Sequence, residues 1–223
     1  MERKVRISPS IIATEYNNES KLSSALEMLK ESKVALLHLD VMDGKFVSQK
    51  TFGPEFINKM QKQTDFLLDT HLMINLPEDY IDDYINAGAD ILTVHYESTQ
   101  NLEWCLRKIK SNGLLAGVSI KLDTHIEVLV PYLQSKLIDV ILVMSVEPGA
   151  CGRTFDERAL NKIKALRELS PKLDIEVDGG INLDNIQSVV DAGANIIVSG
   201  SSIFKSSNPS NVIKEMSSYK CRV

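Results

Sequence analysis

Residues 35–42 read Ala-Leu-Leu-His-Leu-Asp-Val-Met, and Asp43-Gly44 closes the run. An apolar run this short suits a β-strand, because a helix needs about ten residues or more. Successive strand side chains point to opposite faces. Leu39 and Val41 therefore share one face, and His38, Asp40 and Met42 share the other. Seven similar runs lie along the rest of the chain, at 5–11 (VRISPSI), 66–74 (FLLDTHLMI), 91–97 (ILTVHYE), 115–121 (LAGVSIK), 139–146 (DVILVMSV), 174–179 (DIEVDG) and 195–200 (NIIVSG). Between them apolar residues recur at three and four, as in Leu22, Leu26, Leu29 and Leu102, Leu106, Ile109, the spacing of an amphipathic helix. Strands alternating with helices make a parallel sheet joined by crossovers. Eight units in 223 residues leave about 28 residues each, the size of a compact βα repeat. The expected fold is α/β: a (β/α)8 TIM barrel with eight parallel strands, one domain over residues 1–223.

An internal echo supports the count. Ala87-Gly88-Ala89-Asp90-Ile91 precedes the fourth run and Ala192-Gly193-Ala194-Asn195-Ile196 the eighth, 105 residues later. Gly88 and Gly193 stand where a helix must end, the usual place for a left-handed cap, although such turns recur in any βα protein. No low-complexity linker divides the chain. Residues 217–223 read as a frayed terminus, and Asn208-Pro209 as a cap followed by Pro at the first helical position.

The chain is 43% hydrophobic and 25% charged, enough apolar residue to build a core, which excludes disorder. Its 25 Lys+Arg against 30 Asp+Glu give a net charge of −5. Such a surface lacks the basic footprint that nucleic acid or an anionic membrane requires. No apolar run approaches the roughly 18 residues of a membrane helix. The charged segment Met1–Arg6 has no apolar stretch behind it, so it does not read as a secretory signal. Cys105, Cys151 and Cys221 are odd in number and form no Cys-x-x-Cys pair. That excludes the common zinc-finger and thioredoxin patterns and points to the reducing cytoplasm.

A buried parallel strand should read as nearly continuous Val, Ile and Leu. Four of the runs break this rule towards their C-terminal ends, the catalytic face of a (β/α)8 barrel. His38 and Asp40 face the axis, since Leu39 and Val41 point to the helices. By the same parity His71 and Met73 share a side in 66–74, Glu176 and Asp178 share a side in 174–179, and the first run offers Ser8 and Ser10. Two imidazoles and two carboxylates converging at one mouth can form an N2O2 site for zinc, iron, manganese or cobalt. Any one of them alone reads equally as a hydrogen-bonded structural residue. Together they are harder to dismiss, because burying two carboxylates without a cation is costly. Asp43 lies off this face beside Gly44 and reads as a turn residue. Two glycine-containing turns, Asp178-Gly179-Gly180-Ile181-Asn182 and Ser199-Gly200-Ser201-Ser202, follow the last two runs, where many such barrels hold a phosphate on backbone N–H groups. Residues 147–155, bracketed by Pro and Gly, have the character of a mobile lid. Cys151 lacks a neighbouring His to activate it and does not read as a nucleophile.

These segments carry a family resemblance. Ser8-Pro9-Ser10-Ile11, the stretch from His38 through Asp40, Met42, Asp43 and Gly44 to Val47, Asp69-Thr70-His71-Leu72-Met73, Val143 to Gly149, Glu176-Val177-Asp178-Gly179-Gly180-Ile181 and Ser199-Gly200-Ser201 resemble, in order and over essentially the whole chain, the motifs of ribulose-phosphate 3-epimerases. The resemblance implies a cytoplasmic, metal-dependent isomerase of the pentose phosphate pathway. It would interconvert D-ribulose 5-phosphate and D-xylulose 5-phosphate, with one divalent ion (zinc, iron, manganese or cobalt) as cofactor, and would form a homo-oligomer. It implies His38, Asp40, His71 and Asp178 as metal ligands, with Asp40 and Asp178 as the acid/base pair. It also implies substrate contacts from Ser10, His71, Gly149, Ala150, Cys151, Gly152, Gly179, Gly180, Gly200 and Ser201, and a lining of Met42, Met73 and Met144, which read equally as packing at the barrel rim. Two carboxylates on opposite sides suit the chemistry, since epimerisation removes a proton from one face of a carbon and delivers another to the opposite face through an enediolate. The lid departs from the family's Pro-Gly-Phe-Gly-Gly-Gln, reading Pro148-Gly149-Ala150-Cys151-Gly152-Arg153, and Ser48-Gln49 stand where Pro-Asn is usual. Three other readings compete: an epimerase for allulose 6-phosphate, a barrel decarboxylase or aldolase (which would need a strand-end Lys that these motifs lack), and a non-catalytic sugar-phosphate-binding barrel.

Overall fold

The computed structural model describes residues 2–149 and 152–222. Each of the eight expected runs forms a strand: β2 (Arg6–Pro9), β3 (Leu36–Met42), β4 (Leu67–Met73), β5 (Ile91–His95), β6 (Leu115–Ile120), β7 (Val140–Met144), β8 (Asp174–Asp178) and β9 (Ile196–Ser199). All are parallel, in the order β2-β9-β8-β7-β6-β5-β4-β3. The sheet closes where β2 meets β3, through one parallel bridge between Ser10 and His38. This narrow seam carries two of the residues singled out by sequence. Leu37, Leu39 and Val41 point outward into the main core, where the helices cover them. Inside the barrel, Leu36, Ile91, Val140 and Ile196 form an apolar plug at the N-terminal end.

The helices follow from their patterns. In α1 (Glu19–Glu31) Leu22 and Leu29 are buried, and Asn18 caps the start by accepting from the Lys21 N–H. In α4 (Leu102–Ser111) Leu102, Leu106 and Ile109 face inward, and Asn101 caps Trp104 in the same way. Complete burial of one such Leu contributes about 1.5–3 kcal/mol. Gly88 ends its helix at φ +95 and Gly193 at φ +122, so the two halves of the echo do the same structural work. Asn208 caps the last helix, with Pro209 at its first position. No helix among the described residues is long and apolar enough to cross a membrane.

The C-terminal tail is not frayed. Residues Lys220–Arg222 (β10) pair antiparallel with Glu2–Lys4 (β1), with Arg3 opposite Cys221, and Cys221 is fully buried. The chain ends thus tie to each other across the N-terminal face of the barrel. Charged residues flank the single buried Cys221, so the segment's polarity hides its pairing.

Candidate functional site

The C-terminal ends of β3, β4 and β8 bring His38, Asp40, His71 and Asp178 together, one ligand atom from each lying within 4.8 Å of all the others. Strand parity sets this. Asp40 stands opposite His71 in the β3–β4 register, and Asp178 arrives from across the barrel beside Met144. His38 Nε2 and His71 Nδ1 each lie 3.3 Å from Asp40 Oδ1. Ligands held about 2.0–2.1 Å from a tetrahedral ion stand about 3.3–3.4 Å apart, so this spacing fits a shared cation. His38 Nε2 is buried and has no hydrogen-bond partner among the described residues. An orphaned ring nitrogen facing a carboxylate is what a metal ligand requires and what a structural histidine would avoid. The donor set of nitrogen and oxygen suits zinc, iron, manganese or cobalt equally.

Three of these four side chains are held from behind. Ser10 donates to Asp40 Oδ2 at 2.5 Å. His38 Nδ1 lies 2.7 Å from Asp69 Oδ2, which also accepts from Ser8 Oγ at 2.7 Å. Below them Glu176 is completely buried, with neither carboxyl oxygen partnered among the described residues. Burial first, and then the charge of Asp69, push the Glu176 carboxyl well above its ordinary range, so it stays neutral. As a neutral acid it can donate to the otherwise unpartnered Asp69 Oδ1. Burial opposes a charge on Asp69 too, but His38 brings its pKa to about 2. His71 Nε2 lies 2.9 Å from His95 Nε2, and His95 Nδ1 lies 3.1 Å from Glu97 Oε2.

The two carboxylates of the mouth are driven apart. Burial works to raise Asp40, but His38 and His71 outweigh it and hold the carboxyl well below its ordinary range. Asp178 is pushed up to about 6 by burial and then by the charge of Asp40. One ionised and one readily protonated carboxyl, facing one cavity, are the arrangement that acid/base chemistry can use.

Above them a cavity opens to solvent. Its walls include Ser10, Asp40, Met42, Met73, Met144, Gly149, Gly152, Asp178, Gly180, Gly200 and Ser201. His38 and His71 lie beneath its floor, fully buried. Met42 and Met73 also pack against Val47, and Met144 against Leu142 and Val198, so the three methionines line and pack at once. Ala150 and Cys151 lie outside the described residues. Gly180 has φ +64, and a Cβ there would come within 2.5 Å of Arg153 O and Phe155 N, so the lid backbone runs directly over this turn. Ser145 Oγ donates to the Gly179 carbonyl at 2.5 Å and fastens the turn to β7. No Lys or Arg is among the described cavity residues, so an anion there would meet backbone N–H groups. Asp43 is a turn residue, as expected: its carboxylate accepts from the Lys45, Phe46 and Asn75 N–H groups. Although burial works to raise it, those bonds hold its carboxyl below the ordinary value.

The sequence reading missed Asp69, His95 and Glu97, and gave Glu176 a face but no role. Asp69 shares the parity of His71 and Met73 and was open to the same argument. Glu97 was not, because it lies on a 3-10 turn, Tyr96–Ser98, where strand alternation has ended.

The chain is similar to known proteins. The model of the ribulose-phosphate 3-epimerase family matches residues 6–204. The ribulose-phosphate 3-epimerase of Schizosaccharomyces pombe is 38% identical over 213 residues, covering 94% of this chain and 91% of that protein. That of Bacillus subtilis is 35% identical over 217 residues, covering 95% and 98%. Two solved structures share the fold alone. The 3-hexulose-6-phosphate synthase of Salmonella typhimurium has a TM-score of 0.69 at 17% identity, covering 96% of this chain and 97% of that one. KGPDC from Streptococcus mutans has a TM-score of 0.71 at 14% identity, covering 96% of each. Those two fix no more than the barrel, whereas the first two share more than a third of their residues along nearly their whole length: the chain belongs to the ribulose-phosphate 3-epimerase family.

Proposed function

We propose that the chain is a metal-dependent isomerase that interconverts D-ribulose 5-phosphate and D-xylulose 5-phosphate by proton transfer at C3. Family membership supports the reaction class and a phosphorylated sugar as substrate. The observation that carries the mechanism is the pair Asp40 and Asp178, converging on one cavity from opposite sides of the barrel with unequal proton affinities.

Asp40, held ionised, removes the C3 proton from one face of the ketose, and Asp178 delivers a proton to the other face of the resulting enediolate. In the reverse direction the roles exchange. His38, Asp40, His71 and Asp178 would hold the divalent ion, which when bound supplies Lewis-acid stabilisation of the negative charge that develops. Backbone N–H groups at Gly179-Gly180 and Gly200-Ser201 anchor the phosphate and so fix C3 between the two carboxylates. Gly149 and Gly152 line the cavity that takes the sugar, Ser10 keeps the Asp40 carboxylate aimed, and Met42, Met73 and Met144 give the reacting carbon an apolar wall. With no redox step, no organic cofactor is needed.

The test is solvent-deuterium incorporation at C3 of ribulose 5-phosphate by metal-loaded protein. Exchange accompanied by xylulose 5-phosphate is the expected result, and its absence would leave a binding protein. Turnover measured alongside on allulose 6-phosphate separates pentulose from hexulose preference. A strong six-carbon preference would reassign the substrate and keep the mechanism.

A further inference from the structure

We propose that Glu97 and His95 are positioning residues that fix the ring tautomer of His71 and so reserve its Nδ1 for a metal ion. The proposal rests on the metal reading given above. Neither residue touches the proposed ligands' oxygen atoms or lines the cavity. They act through a line of three contacts: Glu97 Oε2 to His95 Nδ1 at 3.1 Å, His95 Nε2 to His71 Nε2 at 2.9 Å, and His71 Nδ1 to Asp40 Oδ1 at 3.3 Å.

The direction of this line is settled by its far end. Glu97 is an anchored acceptor: its Oε1 takes the Lys121 backbone N–H at 2.8 Å and the Thr124 hydroxyl, leaving Oε2 for His95. A carboxylate only accepts, so His95 must present a protonated Nδ1 to it. A neutral His95 then has a bare Nε2, and two ring nitrogens 2.9 Å apart need one proton between them. That proton must sit on His71 Nε2. The His71 Nδ1 lone pair is thereby left free, pointing at Asp40 Oδ1 and into the ligand cluster. His38 is oriented in one step, since Asp69 lies directly on its Nδ1 and turns Nε2 to the cluster. The two imidazoles thus face the cluster through opposite ring nitrogens, each oriented by a carboxylate, the buried Asp69 directly and the half-buried Glu97 through a second imidazole. Phe46 packs over the relay, its ring 4.9 Å from that of His95, which is fully buried.

Glu97→Gln tests this with little change of shape. The single carbonyl of Gln must still serve the Lys121 N–H, so its amide group turns to His95 and donates. The proton on His95 then moves from Nδ1 to Nε2, opposes the His71 Nε2–H, and favours the His71 tautomer with a blocked Nδ1. Two measurements on the full chain decide the matter. Ring nitrogen-15 shifts of the metal-free protein report the tautomer of His95, and chelator competition with cobalt(II), read by its visible absorption, reports affinity. We expect wild type to carry the His95 proton on Nδ1, and Glu97→Gln to carry it on Nε2 and bind cobalt about 10–100-fold more weakly. A wild-type proton on His95 Nε2 overturns the proposal, and that measurement needs no variant. So does a Glu97→Gln protein whose tautomer reverses with unchanged affinity, or whose affinity falls with no reversal, the mark of a merely structural role. His95→Gln against His95→Leu is the second pair: the amide can accept from His71 and donate to Glu97, so Gln should retain affinity that Leu loses, and equal loss in both overturns the proposal. Wild type that binds no cobalt overturns the metal reading itself, a result distinct from all of these.

Discussion

Replacing Asp178 by Asn should nearly abolish epimerisation and, in the same protein, stabilise the fold. Asp178 lines the cavity at the end of β8, and burial followed by the charge of Asp40 raises its pKa from 3.8 to about 6. A difference of about two pH units between unfolded and folded states corresponds to about 3 kcal/mol against the ionised form. The residue is partly exposed at the cavity wall, so about 1–3 kcal/mol is the expected gain when an uncharged amide of the same shape replaces it. The sign fixes the pH window. A carboxyl raised on folding binds more protons in the native state, so its destabilisation is absent below about pH 4, grows between about pH 4 and 6, and is complete above. Denaturant unfolding of metal-free wild type and Asp178→Asn should therefore converge near pH 4 and separate by about 1–3 kcal/mol at pH 7, the variant being the more stable. Loss of one member of a general acid/base pair should cost about 10²–10⁴-fold in kcat. In deuterated buffer Asp40 can still wash deuterium into one epimer, but no longer into both. A variant less stable than wild type at pH 7 would refute the claim that this carboxylate is strained by burial. Equal exchange into both epimers would refute the two-carboxylate mechanism.

Three other perturbations follow from the same coordinates. Gly180→Ala places a Cβ 2.5 Å from Arg153 O and Phe155 N at a left-handed position, so it should raise KM for the sugar phosphate roughly tenfold or more, with a stability loss of about 1–2 kcal/mol by thermal melting. Gly117→Ala, inside the barrel, drives a methyl group into Thr93, to within 2.9 Å of its Cβ, and should lower stability by about 1–3 kcal/mol while leaving KM unchanged in steady-state assays. Removing residues from Ser217 onward deletes β10, the Val5 N–H bond to the Tyr219 carbonyl at 3.2 Å and the cover that Cys221 provides, at an expected loss of about 1–3 kcal/mol in denaturant midpoint measurements with kcat retained.

The barrel was legible because its strands are short, apolar and evenly spaced, and because polar residues interrupt them on the inward face only. His38, Asp40, His71 and Asp178 announced themselves in that way. What stayed hidden depended on contacts that no local pattern encodes. Glu2–Lys4 and Lys220–Arg222 each have three residues, too few for an alternation to show, and their pairing spans the whole chain. His95 sits in a readable strand, yet its partner His71 comes from the neighbouring strand, two residues out of register, since His71 pairs with Thr93. Glu97 follows a strand end, on a 3-10 turn where alternation gives no face, and reaches His95 on the strand before it and Lys121 beyond the end of the neighbouring one.

The interior of the barrel explains why such residues are there at all. Its N-terminal end is closed by an apolar plug of Leu36, Ile91, Val140 and Ile196. Hydrophobic burial could have filled the next level too. Instead Ser8, His38, Asp69 and Glu176 are fully buried there, touching each other and no part of the cavity except through His38. A buried polar cluster of this kind is seldom more stable than an apolar replacement. Its return is directional: apolar packing can hold a ring in place but cannot decide which nitrogen carries the proton, whereas a carboxylate at 2.7 Å can. The cost at this level and the strain on Asp178 above it therefore have the same sign and the same cause. Stability is given up along the axis, where proton positions must be specified, and is recovered in the shell of Leu, Ile and Val between strands and helices, which carries none of the chemistry.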